Sequence, residues 1–169
     1  MDISSWNAYA VALLAFVTLQ RLGELVLARR NTKRLLERGA FEAAPEHYWL
    51  IVALHGAWLI GLWMLAPTHA PDPLLASVYG LIQVARVWVL MTLGERWTTR
   101  IVILPGAPLK RAGPYRFISH PNYAVVVAEI LVLPCVFGLY AFALMFTVLN
   151  AAMLTIRIRA EDDALHQKM

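Results

Sequence analysis

The sequence predicts an all-α integral membrane protein with five transmembrane helices. The last two form a helical hairpin, with the N-terminus outside and the C-terminus cytoplasmic. Three observations lead there. Of 169 residues, 60% are hydrophobic and 15% charged, well below the roughly 25% charge of soluble domains. The apolar residues gather into runs long enough for helices of about 20 residues, the length that crosses a hydrocarbon core of about 30 Å. The basic residues fall in the gaps between those runs, where they report orientation.

The first run covers residues 6–28, with Arg21 and Glu24 near its end. Three residues apart, these two read as an ion pair at a helix terminus. A basic loop with Arg29, Arg30, Lys33, Arg34 and Arg38 is expected next, then a second span over 48–66 stopped by Pro67. A short connection with His69, Pro71, Asp72 and Pro73 leads to a third span over 74–93, which carries Arg86. Residues 94–120 are the longest polar stretch. The final apolar run, 121–156, is too long for one span, and Pro134 with Gly138 divides it into two helices. Trp6, Trp49 and Trp97 suit membrane interfaces.

The basic residues then select the number of spans. Six lie in or beside the first loop, five between spans three and four (Arg96, Arg100, Lys110, Arg111, Arg116), and three after span five (Arg157, Arg159, Lys168). Five spans put all of these on one side, which the positive-inside rule makes cytoplasmic; four or six spans scatter them. Arg86 remains inside the membrane, as does Glu129 on span four. Such charges are either paired or functional, and a mutual ion pair and a place beside a substrate cavity are both open.

Several classes are excluded. A lone cysteine, Cys135, permits no internal disulfide, and the five histidines have neither ligand spacing nor a cysteine partner for a metal. Met1-Asp2-Ile3-Ser4-Ser5 lacks the positive region of a cleavable signal peptide. The net charge of +4 follows membrane topology, so no nucleic-acid partner is expected. A transporter would place polar groups mid-membrane in several spans, and only Arg86 and Glu129 qualify. No linker or internal repeat divides the chain, so residues 1–169 are read as one membrane-embedded domain.

The chemistry concentrates where the chain re-enters the apolar phase, at Gly113-Pro114-Tyr115-Arg116-Phe117-Ile118-Ser119-His120-Pro121-Asn122-Tyr123. Gly113-Pro114 marks a turn. Pro121 suits the first helical position and holds His120 extended just outside it. His120 and the first amides of that helix then share an aqueous pocket, which a carboxylate would favour. The other half is Arg157-Ile158-Arg159-Ala160-Glu161-Asp162-Asp163-Ala164-Leu165. Arg157 and Glu161 share one helix face. This is either a solvated helix end with ion pairs worth well under about 1 kcal/mol or part of a site. Acids at a helix C-terminus oppose the dipole, so a bound cation or ribose diol would offset their cost. The hairpin makes the two segments neighbours.

Gly-Pro-Tyr, then His-Pro-x-Tyr, then a helical Arg-x-x-x-Glu-acid-x-x-Leu resembles the isoprenylcysteine carboxyl methyltransferase family of integral membrane enzymes. The resemblance covers about residues 94–165, the cofactor-binding half. Arg21-Leu22-Gly23-Glu24, Asn31, Glu42 and His47-Tyr48 look like a bacterial branch, some of whose members O-methylate alkylpyrones or other phenolic lipids. The resemblance implies S-adenosylmethionine as cofactor, leaving as S-adenosylhomocysteine. By motif position Tyr115, His120, Pro121, Asn122 and Tyr123 would line its pocket, with Glu161 and Asp162 reaching it from the last helix. The loop 104–112 would add backbone contacts. Arg157 would face the nucleophilic oxygen. The family usually has Arg before His-Pro where this chain has Ser119, and Glu-Glu where it has Glu161-Asp162; Arg116 is the candidate to replace the missing Arg.

The implied activity is O-methylation of a carboxylate or a phenol or enol oxygen on a prenyl or lipid substrate within the membrane. In-line displacement asks for alignment and exclusion of water. A phenol or enol gains further from a base, or from a cation that stabilises its anion. No glycine-rich strand–turn–helix fingerprint marks a Rossmann methyltransferase. Phospholipid N-methylation is the neighbouring alternative, and a non-catalytic membrane subunit the alternative of another class.

Overall fold

The structure is a computed structural model that describes residues 5–108 and 110–166, with the side chains of Asp162, Leu165 and His166 outside the described residues. Five helices dominate: α1 (Ala8–Glu37), α2 (Tyr48–Leu65), α3 (Pro73–Leu93), α4 (Pro121–Val136) and α5 (Tyr140–His166). Four of them, α1, α2, α3 and α5, are long and apolar enough to cross a membrane. α4 is apolar but has 16 residues, about 24 Å at 1.5 Å per residue. α4 packs against both α3 and α5.

The helices end where local chemistry ends them. Asn7 Oδ1 accepts from Tyr9 N at 3.0 Å and Ala10 N at 3.2 Å, capping α1. Asp72 Oδ1 accepts from Leu75 N at 2.9 Å, with Pro73 in the first turn of α3. α1 and α4 both stop in the left-handed turn that glycine permits. Leu139 N donates to Pro134 O and Gly138 N to Cys135 O, with Gly138 at φ 72°; Ala40, Gly39, Leu35 and Leu36 repeat the pattern at the end of α1. Pro134 and Gly138 therefore divide the last apolar run as expected.

α1 departs from expectation. It continues past Ala28 to Glu37, so Arg29, Arg30, Lys33 and Arg34 lie on helix rather than loop. Nothing between Glu24 and Arg38 breaks a helix, and Gly39 is the first residue that does. The buried positions Ala10, Leu14, Val17, Glu24, Ala28, Asn31 and Leu35 form one continuous stripe. Asn31 Nδ2 donates to Gly94 O at 3.1 Å and Trp97 O at 2.8 Å, joining the extension to the segment after α3. Trp97 is consequently 2% exposed, not an interfacial anchor.

The architecture is also not purely helical. Phe41–Ala43 (β1) pairs antiparallel with Ile101–Ile103 (β2), with Glu42 opposite Val102. Three-residue strands in polar connections carry little periodicity, which hid them in the sequence.

Arg21 and Glu24 are not at a helix end. They meet Arg86 and Glu129 in a buried cluster. Arg86 forks onto Glu24, Nε and Nη2 each 2.5 Å from a carboxylate oxygen, and donates Nη1 to Glu129 at 2.8 Å. Arg21 reaches Glu24 at 3.0 Å and Glu129 at 2.7 Å. Gln83 donates to Glu129 at 2.9 Å, and Gln20 donates to Gln83 at 2.8 Å. The cluster ties α1, α3 and α4 together and is electrically neutral. Arg86 and Glu129 thus form an ion pair, one of the two readings that the sequence left open.

Candidate functional site

At one end of the bundle lie the start of α1, the α2–α3 connection, the start of α3 and the α4–α5 turn. Asn7 N donates to Pro67 O at 2.6 Å and Asp72 N to Val136 O at 2.8 Å across them. The other end holds a cavity of about 490 Å³. Its walls come from the last turns of α1 and α3, the 96–104 segment with β2, the loop after it, the start of α4 and the end of α5.

α4 begins at Pro121, with His120 as its cap residue in a non-helical conformation (φ −126°, ψ 63°). The His120 carbonyl accepts from Tyr123 N and Ala124 N, while its imidazole makes no capping bond. That ring stacks on Tyr123, centroids 5.3 Å apart. Tyr123 is the hinge of the site. Its hydroxyl donates to Glu161 Oε2 at 2.6 Å and accepts from Arg157 Nε at 3.1 Å, so it joins the first turn of α4 to the last turns of α5. Arg157 also donates Nη2 to Thr99 O at 2.6 Å, and its guanidinium lies 5.8 Å from the Tyr123 ring centroid.

Gly113–Arg116 closes as a 3-10 turn that buries Pro114. Gly113 has φ 54°, and an added Cβ would lie 2.5 Å from Thr92 Oγ1, so both conformation and close approach to α3 require glycine. Tyr115 reaches the cavity wall from this turn. Burial, reinforced by the Glu161 carboxylate, pushes its phenol up to about 12.

Tyr115, Ser119, His120, Asn122, Tyr123, Arg157 and Glu161 all line the cavity. Pro121 is buried beneath them and is not a wall residue. Arg116 is exposed and outside the wall, because the turn presents Tyr115 instead. Asp162 continues the helix, and its side chain lies outside the described residues. The 104–112 loop lines the cavity through Leu104, Ala107, Pro108, Lys110 and Arg111. Asn122 Oδ1 is buried without a hydrogen-bond partner among the described residues, an acceptor available to a ligand.

Sequence reasoning missed the 96–103 wall and Leu35. Arg100 lines the cavity while its Nη1 contacts both Glu42 oxygens, at 2.8 and 2.7 Å, and its guanidinium sits 4.3 Å over the Tyr48 ring. Tyr48 Oη and Thr99 Oγ1 share a 3.1 Å hydrogen bond. Glu42 and Tyr48 thereby support the segment leading into β2, whose Thr99 carbonyl holds Arg157. Arg157 and Ile101 also border a second cavity of about 20 Å³ walled by Ile51 and Met153.

A family model for isoprenylcysteine carboxyl methyltransferases matches residues 75–167, more than half of the chain. The chain belongs to this family. The isoprenylcysteine carboxyl methyltransferase match takes in α3 to α5 and thus most of the cavity wall. The protein is also similar over nearly its whole length to the uncharacterized protein YpbQ of Bacillus subtilis (strain 168), 37% identical over 160 residues, 92% of this chain and 95% of the relative. An uncharacterized protein of Haemophilus influenzae (strain ATCC 51907 / DSM 11121 / KW20 / Rd) is 25% identical over 151 residues, 86% of this chain and 88% of the relative. No solved structure matches. Family membership and the apolar helices make this a multi-pass membrane protein of a methyltransferase family.

Proposed function

We propose that the protein uses S-adenosylmethionine to O-methylate a carboxylate or a phenol or enol oxygen on a hydrophobic, prenyl- or lipid-like substrate. The observation that supports this most is the bonded chain Arg157–Tyr123–Glu161, which sets a cation and an acid from α5 against the head of α4 on one cavity wall.

The residues present fit the cofactor. The volume falls within the roughly 300–1,000 Å³ of small-molecule sites. Glu161 offers a carboxylate to an ammonium or ribose diol, the orphan Asn122 Oδ1 offers an acceptor, and the first amides of α4 suit a carboxylate. In this reading Tyr115, His120, Pro121, Asn122, Tyr123 and Glu161 hold or shape the cofactor pocket, and Asp162 joins them by motif position. The bound cofactor supplies a methyl group on a sulfonium, open to in-line attack. Tyr123 fixes the Arg157 guanidinium, and Arg157 orients an acceptor oxygen and stabilises its negative charge. Arg157, rather than the exposed Arg116, carries the acceptor role.

In the same proposal all five helices span the bilayer and the cavity faces the cytoplasm, the side that the basic residues select. Calorimetry of the purified protein with S-adenosylhomocysteine tests the cofactor: binding by the native chain and its loss in Glu161→Ala are expected, and no binding by the native chain rejects the reading. Mass spectrometry of host lipids with and without the gene then seeks an acceptor shifted by one methylene.

A further inference from the structure

The charges around the large cavity do not suit its proposed cofactor alone. Among the described residues its walls carry Arg96, Arg100, Lys110, Arg111 and Arg157 against one carboxylate, Glu161. Two of the five cations are answered within the protein. Arg100 is paired with Glu42, and Arg157 is offset by Glu161 through the Tyr123 hydroxyl that both contact. The nearby acid Glu95 is taken by Arg34 at 3.5 Å and Arg38 at 3.4 Å, both from α1. Arg96 donates to the Pro108 carbonyl at 2.6 Å, which places it against the 104–112 loop. Among the described residues Arg96, Lys110 and Arg111 have no carboxylate partner. Lys110 and Arg111 are exposed, so they mark the mouth.

S-adenosylmethionine carries one net positive charge and S-adenosylhomocysteine none. A mouth with three unanswered cations repels the former and is indifferent to the latter, the reverse of what a methyl donor site needs. An anion seated on those cations corrects the field. Beside the mouth, Phe117 is 77% exposed and Ile118 49%. Cations next to apolar side chains at the ends of spanning helices are the arrangement that engages headgroups and acyl chains together.

We propose that Arg96, Lys110 and Arg111 seat the phosphate of an anionic phospholipid at the cavity mouth, and that this lipid gives the site its preference for the cationic donor over the neutral product. The selectivity half rests on the methyltransferase reading; the lipid seat does not.

The test places the full chain in nanodiscs of phosphatidylcholine alone or with about one third phosphatidylglycerol. Affinities for S-adenosylmethionine and S-adenosylhomocysteine are measured in each, and native mass spectrometry counts retained phosphatidylglycerol. Anionic discs are expected to raise the donor-to-product affinity ratio about five-fold, an effect that disappears near 1 M salt, where the screening length falls to about 3 Å. The double variant Lys110→Gln/Arg111→Gln should retain less phosphatidylglycerol and give the same ratio in both discs. A native ratio that ignores lipid charge overturns the proposal. So does its full restoration by inorganic phosphate in phosphatidylcholine discs, which would make the occupant a free anion. If neither adenosyl compound binds in any disc, the methyltransferase reading fails; variant-sensitive lipid retention would still establish the seat, and its absence would remove that too.

Discussion

Tyr123 has two neighbours that carry charge, Glu161 and Arg157, and neither is near it in sequence. Hydrogen bonds to charged groups contribute about 1.5–3 kcal/mol, so Tyr123→Phe releases both side chains while leaving the ring under His120. We expect this variant to weaken S-adenosylhomocysteine binding about ten-fold, roughly 1.4 kcal/mol; unchanged affinity in calorimetry would detach the pair from the site. Tyr115 gives a pH signature. Its phenol ionises near 12 in the folded protein and near 10 when exposed. Folding is therefore helped below pH 10, and that help is lost as pH rises from about 10 to 12. Tyr115→Phe should flatten the fall in melting temperature over this window; an unaltered alkaline profile would contradict the assignment.

At the scale of elements, the 113–116 turn fixes how the chain crosses from the loop to α4. Gly113→Ala would add a left-handed strain of about 1 kcal/mol to a Cβ 2.5 Å from Thr92 Oγ1. We expect a loss of about 1–3 kcal/mol in detergent-unfolding experiments, partly recovered by Thr92→Ala, which removes the clash but not the strain. A Gly113→Ala protein as stable as the native one would mean that the turn tolerates another conformation. The polar extension of α1 works at the same scale. Asn31, Arg34 and Arg38 hold the Gly94–Trp97 segment in place, and that segment forms one wall of the cavity.

For the whole molecule, the cluster of Arg21, Glu24, Arg86 and Glu129 joins three helices. Removing one member of a buried set strands the opposite charges, at a cost of about 3–5 kcal/mol. Arg86→Leu should therefore cost far more than the paired change Arg86→Leu/Glu24→Leu, as read by unfolding in mixed micelles. Equal losses would show that the charges are solvated. Orientation is a second test. In a Cys135→Ser background, Ser119→Cys should react with a membrane-impermeant thiol reagent only from the cytoplasm, and Thr68→Cys only from outside. Labelling of both from one side would end the five-span arrangement.

Much of this protein was readable from local rules. Run length and composition gave the five apolar helices, Pro134 and Gly138 gave the hairpin, and two motifs of fixed spacing pointed to one site, because helix formation and turn chemistry depend on near neighbours. The reach of α1 was legible too, since no breaker lies between Glu24 and Gly39, but the positive charges there suggested a loop. Tertiary structure alone decided the partners. That Arg21 and Glu24 are buried depends on Arg86 and Glu129 arriving from other helices, and the β1–β2 pair needs two short strands about 60 residues apart to meet. Arg116 and Tyr115 are adjacent in sequence, yet one faces away from the cavity and the other lines it. Contacts between distant segments are set by packing and by the cost of leaving buried charge unpaired, and neither quantity is written in the order of residues.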